Sequence, residues 1–173
     1  MTYRSETSAR RHLTVQYCVG NGLDLGSAGD PVVPTAIQIE PLTQYTPDLG
    51  GQHPVQLRGS AIDLYWFRDN VMDYVYSSHL LEDFADWKPL LREWVRVLRP
   101  GGHLVIMIPD KHAWAAALAK GQAPNFSHKH EGVPGELTSH IRKLGRFEVI
   151  EDRITDGYNI LFVAKKLDPI KLV

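Results

Sequence analysis

Hydrophobic and polar positions along the chain follow two periods. Short runs rich in β-branched and aromatic residues at 14–19 with 22–25, at 36–39, at 55–57 and at 72–76 read as strands. The first of these is expected to be bulged at Gly20 and Gly22. Between 87 and 98 the period changes. Trp87, Leu90, Leu91, Trp94, Val95, Val97 and Leu98 fall close to the i, i+3, i+4, i+7 pattern of a helix. Asp86 suits its N-cap, Pro89 its first turn, and Arg99-Pro100-Gly101-Gly102 its stop. A strand at 103–109 follows at once. Near the end, apolar runs at 147–154 and 158–166 flank Thr155-Asp156-Gly157, which predicts a hairpin.

Strands alternating with helices in this order imply an α/β chain with a mostly parallel sheet and an antiparallel hairpin at its C-terminus. Ligands of open α/β sheets bind outside the carboxyl ends of the strands. The Gly-rich stretch "GNGLDLGSAGDP" at 20–31, Glu40, Ser60 with Ala61, and Ser77 to His79 are all expected at that edge. Between Asp24 and Glu40 the chain carries Pro31 and Pro34 and is too short for an ordinary crossover helix with its loops. The first crossover is therefore expected as a turn or a stunted helix, with that side of the sheet less covered. Neither a repeat nor a low-complexity segment divides residues 1–173, which read as one domain.

Composition narrows the function classes. With 19 basic against 20 acidic residues and a net charge of −1, nothing supports nucleic-acid binding by bulk electrostatics. The local basic cluster Ser8-Ala9-Arg10-Arg11 reads as a solvated N-terminal arm. Cys18 stands alone, which excludes an internal disulfide and suits a reducing compartment. The first 13 residues have no apolar leader, and no apolar run is long enough for a bilayer. The expectation is a cytoplasmic protein without membrane contact.

"LDLGSAG" at 23–29, "IQIE" at 37–40 and the block "MDYVYSSHLLEDFADWKPLLREWVRVLRPGGHLVIMIP" at 72–109 together resemble the class I S-adenosylmethionine-dependent methyltransferases. More narrowly, "YSSHLLED" and "HKHE" look like small methyltransferases often grouped with polysaccharide and glycan biosynthesis. The resemblance runs in order from Tyr17 to Lys165. It implies a Rossmann-like class I methyltransferase sheet with its first crossover helix shortened or absent, and S-adenosyl-L-methionine as cofactor. Gly26 and Gly29 would allow close backbone approach, with Ser27 and Ala28 between them. Asp24 would face the ammonium of the amino acid tail, Glu40 the two ribose hydroxyls and Ser60, by its hydroxyl or by backbone alone, the adenine, with Ala61 and Ser77 as further cofactor-binding candidates. Two positions depart from the family pattern. Ala28 stands where glycine is common, and Ser60 stands where an acid usually takes the adenine amine. A nicotinamide site is the alternative cofactor, disfavoured because the glycines do not follow G-x-G-x-x-G.

His79 is the candidate general base, with a ring that merely closes the pocket as its alternative. Asp24 could instead cap a turn and Glu40 could be an exposed strand end. Glu82 and Asp83 read as solvated acids ahead of the helix. His128 and His130 alternate, so an extended segment would turn both to one side and Glu131 away. With Asp110 and His112 they make only a weak metal set, and no metal is expected. A loop that gates substrate, or a plain polar loop, fits them better. Trp66, Phe67 and Trp114 could line an acceptor cleft or pack in the core. The implied activity is methyl transfer to a small-molecule or sugar-like hydroxyl. The alternatives are a non-catalytic cofactor-binding or partner module, or another reaction on the same cofactor. So short a chain could complete its pocket as a homodimer.

Overall fold

Seven strands form one sheet in the computed structural model, which describes residues 5–41 and 55–169. Residues 1–4, part of the stretch read as lacking a leader, lie outside the described residues. The strands are β1 (Gly22–Leu25), β2 (Ile37–Glu40), β3 (Leu57–Arg58), β4 (Met72–Ser78), β5 (Leu98–Pro109), β6 (Phe147–Thr155) and β7 (Asn159–Lys166). Their order is β3-β2-β1-β4-β5-β7-β6. The first five run parallel, and β7 inserts antiparallel between β5 and β6. The expected α/β sheet with its antiparallel C-terminal hairpin is what forms.

Successive residues of the central strands point to opposite faces, and both faces are covered, which is why β1 is buried throughout. One face presents Leu23, Leu25, Val75, Ile106 and Phe162 to helices α2 (Lys88–Val97) and α4 (Glu136–Leu144). The other presents Tyr74, Tyr76, Val105, Met107, Leu161 and Val163.

That second face holds the largest departure from the sequence expectation. Residues 14–19 are not the start of the first strand. They end helix α1 (Glu6–Thr14) and form the 3-10 turn Val15–Tyr17 that follows it. Ser5 caps the helix by accepting the Ser8 N–H, and Glu6 pairs with Arg10 one turn on. The β-branched composition of 14–19 loses to this cap and to tertiary packing. Leu13 and Tyr17 lie on the Tyr74–Tyr76 face beside Val32 and Val33 of the first crossover. The crossover has no helix, as expected, but its side of the sheet is not left bare, because α1 covers it. Nor are Arg10 and Arg11 a solvated arm. Arg11 holds Asp30 and the carbonyls of Pro31 and Val32, and Arg10 holds Glu6 and Asp156.

Smaller corrections concern boundaries. The N-cap of α2 is Trp87, without a side-chain cap bond, and Asp86 is exposed. The Arg-Pro-Gly-Gly turn does not precede the fifth strand but bulges out of it. Met72 pairs with Leu98 and Tyr74 with His103, so residues 99–102 loop out of register. Gly102 is required there, since a Cβ would meet the Asp73 carbonyl at 2.7 Å. Among the described residues no helix is long and apolar enough to cross a membrane.

Candidate functional site

The parallel strands bring the predicted residues to one edge. Leu25 runs into a turn with left-handed backbone at Gly26, Ala28 and Gly29 (φ +80°, +51° and +78°). Ala28 thus sits where glycine is the usual solution, as its place in the motif suggested. Glu40, at the end of β2, accepts the Ala28 N–H through Oε1, and the Ser27 hydroxyl donates mainly to Gln38 at 2.7 Å. Glu40 is buried, not an exposed strand end, and burial raises its pKa against the hydrogen bonds from Ala28 and Ser27. Its Oε2 takes no hydrogen bond from a described residue.

Asp24 lies beneath this turn, 1% exposed. Oδ2 accepts the Val32 N–H at 2.6 Å, while Oδ1 is buried with no hydrogen-bond partner among the described residues. Burial pushes its pKa up to about 8. Its turn-capping reading is therefore true of one oxygen only. The orphaned oxygen suits the ammonium of an amino acid tail, directly or through water. On these observations the residues present fit S-adenosylmethionine.

The remaining predicted positions are less available. Ser77 is buried and donates to the Leu25 carbonyl at 3.2 Å, tying β4 to β1. Ser60 is exposed and its hydroxyl accepts the Ile62 N–H at 3.2 Å. Ala61 is buried, its carbonyl accepting the Trp94 indole N–H at 2.8 Å.

His79 follows β4 directly, itself left-handed at φ +54° and anchored by its N–H to the Met107 carbonyl. Its Nδ1 lies 3.3 Å from Glu82 Oε1 and its Nε2 3.5 Å from Glu6 Oε2. The Asn159 amide, with its oxygen toward Arg10, donates to Nε2 at 2.9 Å. Burial works against a charged ring, but Glu82 and then Glu6 outweigh it, and the net pKa lies above that of an ordinary histidine.

Glu82 is the residue the sequence reading misplaced. It is not a solvated acid but 0% exposed, in the 3-10 turn Leu81–Asp83, with His128 Nε2 3.8 Å from the same oxygen that meets His79. Asp83 is half-buried and accepts the Ser127 hydroxyl at 2.7 Å. The i, i+3 spacing of His79 and Glu82 was the available signal. Glu6, Arg10 and Asn159 had none, because only the fold brings them close.

The loop at 125–131 is a series of turns rather than an extended segment, so its histidines do not share a side. His128 stacks near Trp114 (4.7 Å between centroids), whereas His130 meets Glu136 at 3.1 Å and lies against Trp87. Asp110 caps helix α3 (Lys111–Ala119) through the N–H groups of His112 and Ala113, and His112 is exposed. Among the described residues no group of three or more His, Cys, Asp or Glu side chains is arranged to hold a metal ion. Trp114 is buried beside His128, Phe67 packs against the core, and Trp66 is half exposed on Tyr65 and over Gly59.

A family model described as a methyltransferase domain matches residues 20–106. A solved S-adenosylmethionine-dependent methyltransferase of Archaeoglobus fulgidus is similar in fold, with TM-score 0.72 and 17% identity over 95% of each chain. One from Thermotoga maritima gives 0.70 at 18% identity, over 91% of this chain and 88% of that one. A Haloferax volcanii methyltransferase in complex with its Trm112 activator gives 0.67 at 16% identity, over 98% and 92%. No curated protein matches the sequence.

Proposed function

Because the chain belongs to the methyltransferase domain family and takes S-adenosylmethionine as its cofactor, we propose that it methylates a hydroxyl of a small-molecule, sugar-like acceptor, with His79 as general base. The observation that carries this reading is the His79–Glu82 contact at the carboxyl end of β4, on the same strand edge as the Gly-rich turn. A neutral acceptor hydroxyl needs a proton acceptor as it attacks, and an imidazole backed by a carboxylate is suited to that task.

In this scheme the whole chain acts as one domain. Asp24 Oδ1 receives the tail ammonium, Glu40 Oε2 the ribose hydroxyls, and the backbone from Gly26 to Gly29 follows the cofactor closely. Ser60 and Ala61 border the adenine, and Ser77 supports the site by holding β1 to β4 rather than by offering its hydroxyl. When bound, the cofactor supplies an electrophilic methyl on a sulfonium, which departs as the neutral thioether. His79 Nε2 takes the hydroxyl proton as the new oxygen–carbon bond forms, and Glu82 compensates the resulting imidazolium. Positioning supplies the rest of the acceleration.

A cytoplasmic protein acting alone or as a homodimer is consistent with this scheme. A non-catalytic cofactor-binding module is favoured by one feature, the lack of an acid at Ser60, and disfavoured by a buried Glu–His pair that cofactor binding alone does not require. The test is calorimetric titration with S-adenosylmethionine and its demethylated product, followed by transfer of a labelled methyl to a panel of sugars and small alcohols. Binding with transfer to a hydroxyl supports the reading. Binding of both without transfer to any acceptor supports the module, and transfer only to an amine or thiol removes the acceptor class.

A further inference from the structure

Glu82 is fully buried, yet neither carboxylate oxygen has a hydrogen bond of ordinary geometry among the described residues. A buried acid left this way costs stability, so its retention calls for a role. Its surroundings are two imidazoles on one oxygen, His79 Nδ1 at 3.3 Å and His128 Nε2 at 3.8 Å. Its main chain is fixed as well, because its carbonyl accepts the N–H groups of Lys129 (2.7 Å) and His130 (3.0 Å) from the 125–131 loop. Leu81, fully buried next to it, sets the turn into the core.

We propose that Glu82 is the positioning residue of the acceptor site: its carboxylate fixes the ring and tautomer of His79 and joins that base to the His128 loop. The inference rests on the reading of His79 as the base. With Nδ1 facing Glu82 at 3.3 Å, the proton-accepting nitrogen is Nε2, where the acceptor hydroxyl would replace the Asn159 amide that donates to it. Once Nε2 is protonated, the carboxylate stabilises the cation in a place where water does not. The same oxygen meets His128, whose Nδ1 is buried without a hydrogen-bond partner among the described residues. One side chain therefore sets the distance between the base and the loop wall, where His128 lies beside Trp114.

The charged and titratable groups around this pair come from four elements. Asp83 follows Glu82 in its own turn, and His128 and Lys129 face it from the loop. Glu6 and Arg10 approach from α1, and Tyr158 lies in the hairpin turn just before β7. None of them replaces the contact to Nδ1.

The experiment is an NMR titration of the His79 ring in the full chain, run beside the dependence of kcat on pH, for wild type, Glu82→Gln, Glu82→Asp and His79→Ala. In Glu82→Gln the His79 midpoint is expected to fall. The acid limb of the kcat profile should move to lower pH with it, and the plateau should drop about 10²-fold, with cofactor affinity unchanged. Glu82→Asp should move the midpoint in the same direction by less and recover part of the rate. It serves alone if the Gln variant does not fold. A His79 midpoint and acid limb that coincide with wild type in a folded Glu82 variant overturn the role. If His79→Ala loses turnover while the midpoint is unmoved, only the Glu82 inference falls. If His79→Ala keeps full turnover, the base assignment falls, and the midpoint still decides whether Glu82 holds the ring.

Discussion

Asp24 and Val32 close the first crossover without a helix: Asp24 Oδ2 accepts the Val32 N–H at 2.6 Å, eight residues along the chain, and the other oxygen is buried with no partner among the described residues. Burial raises the Asp24 pKa to about 8, so the cofactor-free fold prefers the protonated acid at neutral pH. A bound ammonium would prefer the carboxylate. Cofactor binding should therefore release a proton, and affinity should rise with pH up to about 8. Calorimetry at pH 7 in buffers of different ionisation enthalpy reads this directly, and a heat independent of buffer would refute it. By linkage, the contribution of this acid to stability is complete below the unfolded value of 3.8 and is lost as pH rises toward about 8. Asp24→Asn should flatten that slope in thermal unfolding. It should also weaken the cofactor about ten- to hundredfold, the range for one charge-assisted hydrogen bond.

Glu40 serves the turn with Oε1, and its Oε2 takes no hydrogen bond from a described residue. Glu40→Gln keeps an oxygen for the Ala28 N–H and lacks the charge that two ribose hydroxyls would share. The expected result is a wild-type melting temperature with cofactor binding weakened about tenfold. A loss of both would mean that the carboxylate chiefly builds the turn.

Ser60→Asp should tighten binding. Aspartate can accept the Ile62 N–H as the serine hydroxyl does, and the position is exposed, so the fold should accept it. Its charge then offers the adenine amine an ionised acceptor. Unchanged or weaker affinity by titration would show that adenine lies away from residue 60.

His79→Ala should lower kcat about 10²–10⁴-fold and leave cofactor affinity nearly unchanged. His130→Ala is the matched control, since its ring is taken by Glu136 and Trp87, and its kcat should stay within a few-fold of wild type. A large loss in His130→Ala with none in His79→Ala would transfer the chemistry to the loop. The raised pKa of His79 carries its own sign. Its stabilising contribution is complete below the unfolded value of 6.5 and disappears as pH rises through the folded value. His79→Ala should therefore reduce the loss of melting temperature across that window.

Wherever period and punctuation act locally, the fold was legible. The helix at 88–97, the hairpin about Asp156-Gly157 and the helix-free first crossover all follow from neighbours in sequence. The strand ends carried Asp24, Glu40 and His79 to one edge for the same reason. What was not legible depends on distant partners. The segment 14–19 looks like a strand until Leu13 and Tyr17 have a sheet face to pack on, and Glu82 looks solvated until the 125–131 loop closes over it. Ser77 has the residue type of a ligand contact, but its hydroxyl is spent on the neighbouring strand. Burial decided each of these cases, and burial is a property of the assembled fold.

The placement of α1 has a consequence for the order of assembly. This first helix rests on Tyr74, Tyr76, Leu161 and Val163, and Arg10 reaches Asp156 in the last hairpin. During synthesis it leaves the ribosome early and must wait for the final strand before it has a surface to bind. Docking the helix is therefore a late step, with the long sequence separation that slows folding. Glu6 meets His79, and Asp30 meets Ser5 and Arg11, only once the helix has docked. No shorter intermediate would carry a finished site, so the cofactor should stabilise the completed chain and leave nascent fragments alone.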